Sequence, residues 1–492
     1  MSEKPTVGRK AVTVGGNIGT VVDAVTTYVR APVGCPDRSG GGTRAVTLAV
    51  ATDVADVLDL IADERERQHA RAERVPLAEV AGWDCRPSAE AFTHESGRFF
   101  SVVGMEVSDG AGRSWHQPII LQPEVGILGL LVRRVGGSVT ALVQLKAEPG
   151  NPSGLQLSPT VQATHSNYTG VHGGAAVPYL EHFLEQAPGH PSTRTHLDVL
   201  QSEIGGRFLA KRNRNMIVEV TDPVEPRPGF HWLPLETLWA MHSRADLVNM
   251  DLRSILSGLP VELAPADEAS ELHAVAPEVD PAVARWLGDG RRSSVLEART
   301  VPLSGLPGWS IGPDAVSHDS GRYFDVIGVR VEASGREVRS WCQPMIAPRF
   351  PGLLALTMAR GRSGLLALVR LHTEAGSWGR AEVGPTVQCA PENHAHRPVA
   401  DRPPLLDDAQ HGRLGEVVFD GNLADEGGRF FHAVNRHVVT VTEPHEPPPG
   451  FRWVPLPQLR ALARQGRSVT MELRSLLSCV ASLPRTTLGD LP

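Results

Sequence analysis

Apolar and polar residues fall at two spacings along this chain. Arg98–Val107 (RFFSVVGMEV) and Gly321–Val331 (GRYFDVIGVRV) are rich in β-branched and aromatic residues, the composition of strands. Leu128–Glu148 (LGLLVRRVGGSVTALVQLKAE) reads as two strands around a Gly136–Gly137 turn. Arg214–Val220 and His437–Glu443 predict further short strands. Helical spacing runs over Ala51–Glu73, and again over Pro234–Leu259 with a Pro start and a Gly stop. The mixture predicts an α+β fold, each domain a mixed sheet flanked by helices.

The pattern occurs twice. SGRFFSVVGMEV from Ser96 returns as SGRYFDVIGVRV from Ser320, SWHQPII from Ser114 as SWCQPMI from Ser340, and SPTVQAT from Ser158 as GPTVQCA from Gly384. GGRFLAKRNRN from Gly205 returns as GGRFFHAVNRH from Gly427, PGFHWLPL from Pro228 as PGFRWVPL from Pro449, and MDLRSILS from Met250 as MELRSLLS from Met471. The offset drifts only from 226 residues at Trp115/Trp341 to 221 at Ser254/Ser475. A period this long makes each copy a domain and not a solenoid repeat. The expected division is a tail over 1–46, a first copy over 47–262, an Ala/Pro/Glu-rich linker over 263–282 and a second copy over 283–485. Ala31–Arg44 and His396–Gly412 read as exposed loops.

Composition narrows the function classes. The 492 residues exceed one ordinary core. A net charge of −7 gives no reason to expect nucleic acid or an anionic membrane as partner, so a phosphate-bearing ligand needs a local Arg cluster. Five scattered cysteines, none spaced C-x-x-C, argue against a disulfide framework and a structural zinc. No apolar run approaches the roughly 18–20 residues of a membrane span, and the first residues lack a signal-peptide core, so a cytoplasmic protein is expected. Lysine occurs only at 4, 10, 146 and 211, which makes Lys146 and Lys211 stand out. Val14–Gly19 (VGGNIG) lacks the spacing of a dinucleotide loop.

The densest polar block runs from Gln144 to Tyr168. Strand alternation puts Gln144, Lys146 and Glu148 on one face, followed by Asn151, Thr160, Gln162, His165, Asn167 and Tyr168. Acid, base, amide and phenol converging in this way suit a small-molecule pocket; a polar edge strand with a solvated loop is the alternative. Arg207, Arg212 and Arg214 could grip a diphosphate, or form a solvated strand of alternating charge. Trp115 could stack on a ring or belong to a core. Arg253, on a helix with Asp251, could reach a ligand or pair and cap locally.

These residues carry a specific resemblance. The pattern SW-x-QP (Trp115, Gln117, Pro118), Q-x-K-x-EPGN (Gln144, Lys146, Glu148–Asn151), PTVQ with NY (Thr160, Gln162, Asn167, Tyr168), SE-x-G-x-RF with NRN (Ser202–Phe208, Asn213–Asn215) and NMD-x-RS (Asn249–Ser254) resembles the sugar-nucleotide 2,3-dehydratases over roughly residues 50–485. The resemblance implies two tandem Nudix-like domains, a dTDP-4-keto-6-deoxyhexose substrate, loss of the C2 hydroxyl to a 3,4-diketo sugar in deoxysugar and antibiotic biosynthesis, and a homodimer with one working and one vestigial pocket per chain. It implies no nicotinamide, because no hydride leaves the sugar, and a ketoreductase as companion for an unstable diketone. Neither copy carries the spaced glutamates of a Nudix metal box, so a metal-free elimination fits better than a hydrolase. A hydrolase, or a non-catalytic nucleotide-sugar binding protein, is the competing reading.

The chemistry needs a base at C3, donors for the C4 oxyanion and an acid for the C2 hydroxyl. Glu148 is the candidate base and Lys146 the candidate oxyanion donor, with a plain Lys146–Glu148 ion pair as the alternative. His165 and Tyr168 are candidate acids. Trp115, Gln117, Gln144, Asn151, Thr160, Gln162, Asn167, Arg207, Arg212, Arg214, Asn215 and Arg253 are candidate substrate contacts. In the second copy Lys146 becomes His372, Gln144 becomes Arg370, His116 becomes Cys342, Pro149 and Asn151 become Ala375 and Ser377, and His165 and Tyr168 become Pro391 and His394. The working pocket is therefore expected in the first copy.

Overall fold

The computed structural model describes residues 53–484 except 69, 111, 165–175, 185–192, 245, 265–270, 335–338, 363 and 378–380. Val14–Gly19, Ala31–Arg44, His165, Asn167 and Tyr168 lie outside the described residues. The chain divides into two units, Met1–Leu48 and Ala49–Pro492, and everything below concerns the second.

Helix Val54–Arg67 starts at a capping box between Asp53 and Asp56, which satisfies two otherwise orphaned backbone donors. It buries Val57, Ile61 and Glu64, the one-face spacing of an amphipathic helix. The helix expected to continue to Glu73 stops at Arg67, and Ala70–Val75 is a strand instead. Its partner, Phe324–Ala333, lies in the other copy, so local spacing could not reveal it. The helix expected over Pro234–Leu259 is likewise two, Leu235–Ala240 and Met250–Leu256. Between them Asp246 adopts a left-handed φ of +46° while its carboxylate accepts from Ala424 N and Ser153 Oγ. Those tertiary bonds outweigh helical continuity. His396–Gly412, read as a loop, contains helix Leu406–Gln410, and Leu406 is buried against Leu353 and Val387.

Each copy builds a large and a small sheet. The first large sheet runs Thr193–Ser202, Arg212–Val220, Gly126–Val135, Ser138–Ala147, Phe230–Pro234, with Leu155–Ser158 and Val161–Ala163 added to its centre. Arg212–Val220 lies parallel to Gly126–Val135 and the other pairs are antiparallel, a mixed sheet. The second copy repeats this with Glu416–Ala424, Val434–Thr442, Gly352–Gly361, Gly364–Thr373 and its attached strands. Gly136 and Gly137, at φ +59° and +92°, make the tight turn between the two central strands of the first copy. One face of the first large sheet packs Val143, Leu145 and Ala147 under the helices; the opposite face carries Leu142, Gln144, Lys146 and Glu148.

The small sheets exchange strands. Ala70–Val75 of the first copy pairs with Phe324–Ala333 of the second, and Glu297–Val301 of the second pairs with Ser101–Ser108 of the first. Two glycines permit it. A Cβ at Gly104 would stand 2.6 Å from Pro302 O, and one at Gly328 2.7 Å from Val75 O. Helices Met250–Leu256 and Met471–Ala481 pack together at the junction. There Arg253 donates to Ser475 Oγ (2.8 Å), Ala424 O (2.6 Å) and Val248 O, while Arg474 donates to Ser254 Oγ (2.9 Å), Ser202 O (2.6 Å) and Val469 O (2.7 Å). The two sets are related by a local two-fold. Among the described residues no helix is long and apolar enough to cross a membrane.

Candidate active site

The polar face of strand Ser138–Ala147 delivers Lys146 and Glu148 side by side, with Nζ 3.2 Å from Glu148 Oε1. Gln162, on the short strand Val161–Ala163, reaches across. Its Oε1 accepts from Lys146 Nζ at 2.8 Å, while its Nε2 donates to Glu148 Oε1 at 3.0 Å and Asp251 Oδ2 at 2.6 Å. Asp251 comes from the first turn of helix Met250–Leu256, which Asn249 caps through Leu252 N.

The second copy closes this cluster. Gly427 N donates to Glu148 Oε2 at 3.1 Å, Gly150 N donates to Gly427 O at 2.7 Å, and His432 N donates to Gly150 O at 2.7 Å. Only glycine fits at 150, where a Cβ would lie 1.7 Å from Phe430 O. The EPGN loop is therefore a socket for the loop Glu426–His432. Asn151 is 6% exposed with Nδ2 lacking a partner, and Asp251 is 3% exposed with Oδ1 lacking one. A donor and an acceptor buried without partners beside Glu148 are what a polar ligand would satisfy.

Charge is crowded here. Burial pushes the Asp251 carboxyl well above its ordinary range, and the charges of Glu203, Glu148 and Glu426 add to it against Lys146. Burial, then Glu148, raises Glu426 to about 7. Glu203 is raised by burial against Arg474 and Lys211, and burial in turn lowers Lys211.

In the second copy Glu472 stands where Asp251 does, also buried, with Oε2 lacking a partner and its carboxyl pushed well above its ordinary range by burial and then by Glu374; the two copies differ at the strand residues. His372 lies 3.5 Å from Glu374, and Gln388 Nε2 donates to Glu374 at 3.4 Å. Burial opposes the Glu374 charge, but the His372 hydrogen bond and charge, with Arg207, outweigh it and hold this carboxyl below its usual range.

Lys146, Glu148, Asn151 and Gln162 thus come together, and Gln144 shares their strand face. Other sequence candidates go elsewhere. Thr160 is buried as a clamp, accepting from Leu131 N at 2.9 Å and donating to Leu142 O. Asn215 is buried and donates to Ser254 Oγ at 2.9 Å. Arg253 has no exposed surface to offer a ligand, because its guanidinium is spent on the junction between copies. Arg214 forms a two-pronged pair with Asp198 at 2.6 and 2.5 Å. Arg212 begins that same strand. Arg207 stacks 4.3 Å over Phe324 and feels the charge of Glu374, which places it at the second copy's cluster. Gln117 donates to Gly206 O at 2.9 Å and accepts from the exposed Trp115 at 3.3 Å. Sequence reasoning passed over Asp251, quoted in NMD-x-RS but read as a pairing or capping residue, and over Glu426 and Gly427. A separate groove lined by Tyr179, His182, Asp222, Glu225 and Arg227 holds none of the Lys146 cluster.

Comparison with known proteins gives a family for both copies. Residues 54–259 and 280–480 both match the family model of NDP-hexose 2,3-dehydratase. The chain is 41% identical over 441 residues to a dTDP-4-dehydro-6-deoxy-alpha-D-glucopyranose 2,3-dehydratase of Streptomyces violaceoruber, covering 88% of this chain and 98% of the relative. It is 41% identical to a protein of the same name from Saccharopolyspora spinosa, covering 86% and 90%, and 38% identical to one from Amycolatopsis orientalis, covering 90% and 93%.

Proposed function

The chain belongs to the NDP-hexose 2,3-dehydratase family, and from that premise we propose that it removes the C2 hydroxyl of a dTDP-4-keto-6-deoxyhexose in a pocket centred on Lys146 and Glu148. The C4 ketone acidifies the C3 proton. Glu148 takes that proton, and Lys146, held in place by the Gln162 carbonyl, stabilises the negative charge that develops at the C4 oxygen. The C2–O bond then breaks, water leaves, and the resulting enol tautomerises to the 3,4-diketone. Asn151 Nδ2 and Asp251 Oδ1, buried without partners, would meet hydroxyls of the sugar.

The observation that carries this reading is the set Lys146, Glu148 and Asp251 joined through the Gln162 amide, with Asp251 Oδ1 and the nearby Asn151 Nδ2 buried without partners. The division into a tail (1–46), a working copy (47–262), a linker (263–282) and a vestigial copy (283–485) belongs to the same proposal, as do a Nudix-like topology for each copy, a homodimer, and a ketoreductase that takes up the diketone. His165, Asn167 and Tyr168 are retained as candidates, with Gln144 beside Lys146 on its strand; Trp115 and Gln117 lie instead against Gly206, in the loop that closes on the second copy's Glu374.

The test incubates chelator-treated protein with dTDP-4-keto-6-deoxyglucose and follows the sugar by mass spectrometry with a diketone trap. Loss of one water is expected, reduced about 10²–10⁴-fold by Glu148→Gln and little changed by Glu374→Gln. Release of dTMP, or turnover only with added Mg²⁺, would replace this reading with a hydrolase. Tight binding without turnover would replace it with a binding protein.

A further inference from the structure

We propose that Glu426, carried by the second copy, is the acid that protonates the departing C2 hydroxyl in the pocket of the first copy; the role rests on the dehydratase reading above. Position comes first. The peptide that follows Glu426 bonds directly to the Glu148 carboxylate, and the Gly150 socket fixes its loop by two further main-chain bonds. A Cβ at Gly427 would lie 2.7 Å from Glu148 Cβ, so the two strands of backbone approach as closely as only glycine allows. The Glu426 side chain is oriented by Gly428 N at 2.9 Å and Arg429 N at 3.0 Å, one on each oxygen, and each oxygen keeps a second lone-pair site. The residue is half-buried, not sealed in the core.

The two copies then separate a chemical role from a structural one. The matching loop of the first copy has the same GGRF sequence and the same seating: Gly376 N donates to Gly205 O at 2.8 Å and Ala210 N to Gly376 O at 2.7 Å. At the position of Glu426 it carries Ile204. The loop therefore folds and docks without a carboxylate. The acid is present only where the loop closes on Lys146 and Glu148, and an apolar residue stands where it closes on His372 and Glu374.

The surroundings suit a proton donor. Glu148 and Glu203 face Glu426 with negative charge, Arg429 opposes them, and Lys211 and Asp251 complete the charged neighbourhood. Burial and this crowding keep a proton on Glu426 near neutral pH. The protons balance without an outside donor. Glu148 takes the C3 proton to leave the C3–C4 enolate; the C2–O bond then breaks, and its electron pair leaves on an oxygen that Glu426 protonates to water. In the tautomerisation Glu148 returns its proton to C2, while the enol O–H proton restores Glu426.

The test compares wild type, Glu426→Gln and Glu426→Ile in D₂O. Wash-in of deuterium at C3 is read by NMR and loss of water by mass spectrometry. Glu426→Gln should keep its KM within a few-fold and still exchange the C3 proton. It should lose kcat for dehydration by about 10²–10⁴-fold, along with the fall in wild-type kcat above neutral pH. Glu426→Ile copies a loop that already folds in the first copy, so it repeats the loss with an intact fold by thermal melting. Dehydration by Glu426→Gln at the wild-type rate overturns the role. Equal loss of exchange and dehydration makes Glu426 a positioning residue and also overturns it. A wild-type chain that loses no water overturns the dehydratase reading, and this role with it.

Discussion

Asp251 shows how a residue can be legible in sequence and still be misread. It sits one position after the start of a capped helix, where an acid usually meets the helix dipole. Here it joins the Lys146–Glu148 cluster instead, held by Gln162, with its other oxygen unpartnered and its carboxyl pushed up by burial and neighbouring acids. A carboxyl that works protonated can be replaced by an amide. Asp251→Asn should therefore keep turnover within about tenfold, whereas Asp251→Ala, which removes the polar group, should lose about 10²-fold, measured as kcat/KM. Glu426 leaves a thermodynamic signature as well. Burial and Glu148 raise its pKa to about 7 from the ordinary 4.5, so the native state holds the proton more tightly than the unfolded chain. Its contribution is favourable at low pH and is lost as pH rises from about 4.5 to 7. Thermal melting of Glu426→Gln should fall less between pH 5 and pH 8 than that of wild type; an equal fall would mean Glu426 is not held protonated. Lys146, Glu148 and Gln162 were readable because strand alternation and one hairpin bring them together. Glu426 was not, because it lies in the other copy. The second copy lacks several polar residues of the first, but at this position it holds Glu426 where the first has Ile204.

At the scale of elements, glycines decide where loops and strands of different copies meet. Gly150 exists because the carbonyl of Phe430 occupies the place of its side chain, and Gly376 repeats this against Phe208 O at 2.0 Å. Gly150→Ala must push the Glu426–His432 loop off Glu148, while Gly376→Ala disturbs the matching loop at Glu374. Both should destabilise by about 1–3 kcal/mol. Dehydration measured below the melting temperature should collapse for the first and survive in the second, and equal activities would show that the Gly150 socket does not shape the pocket. The repeat blocks made these glycines visible as paired positions, and the Gly136–Gly137 hairpin was legible from its turn chemistry. Ala70–Val75 was not: its spacing continues a helix, and the strand it becomes is dictated by Val329 and Val331, more than 250 residues away. Local pattern reports local partners, and this element has none.

The whole molecule is two copies that cannot be separated without cost. Each small sheet borrows a strand, each large sheet sends a loop into the other copy's polar cluster, and Arg253 and Arg474 cross the junction with their guanidinium groups fully buried. Parting the copies would strand several buried carbonyls and hydroxyls, each costing about 1–3 kcal/mol, and expose two sheet edges. Within one chain, Arg253→Ala should cost on the order of 3 kcal/mol for the same reason, since it orphans Val248 O, Ala424 O and Ser475 Oγ together. The covalent link between copies, in contrast, does little beyond raising effective concentration. A chain cut within 265–270, with both pieces co-expressed, should therefore reassemble and lose water from the sugar at near the intact rate. Either piece expressed alone should aggregate or lack a cooperative melt. A first piece that folds and dehydrates by itself would mean that the second copy supplies nothing the pocket needs. That would contradict the strand exchange as a source of stability and Glu426 as a source of protons in a single experiment.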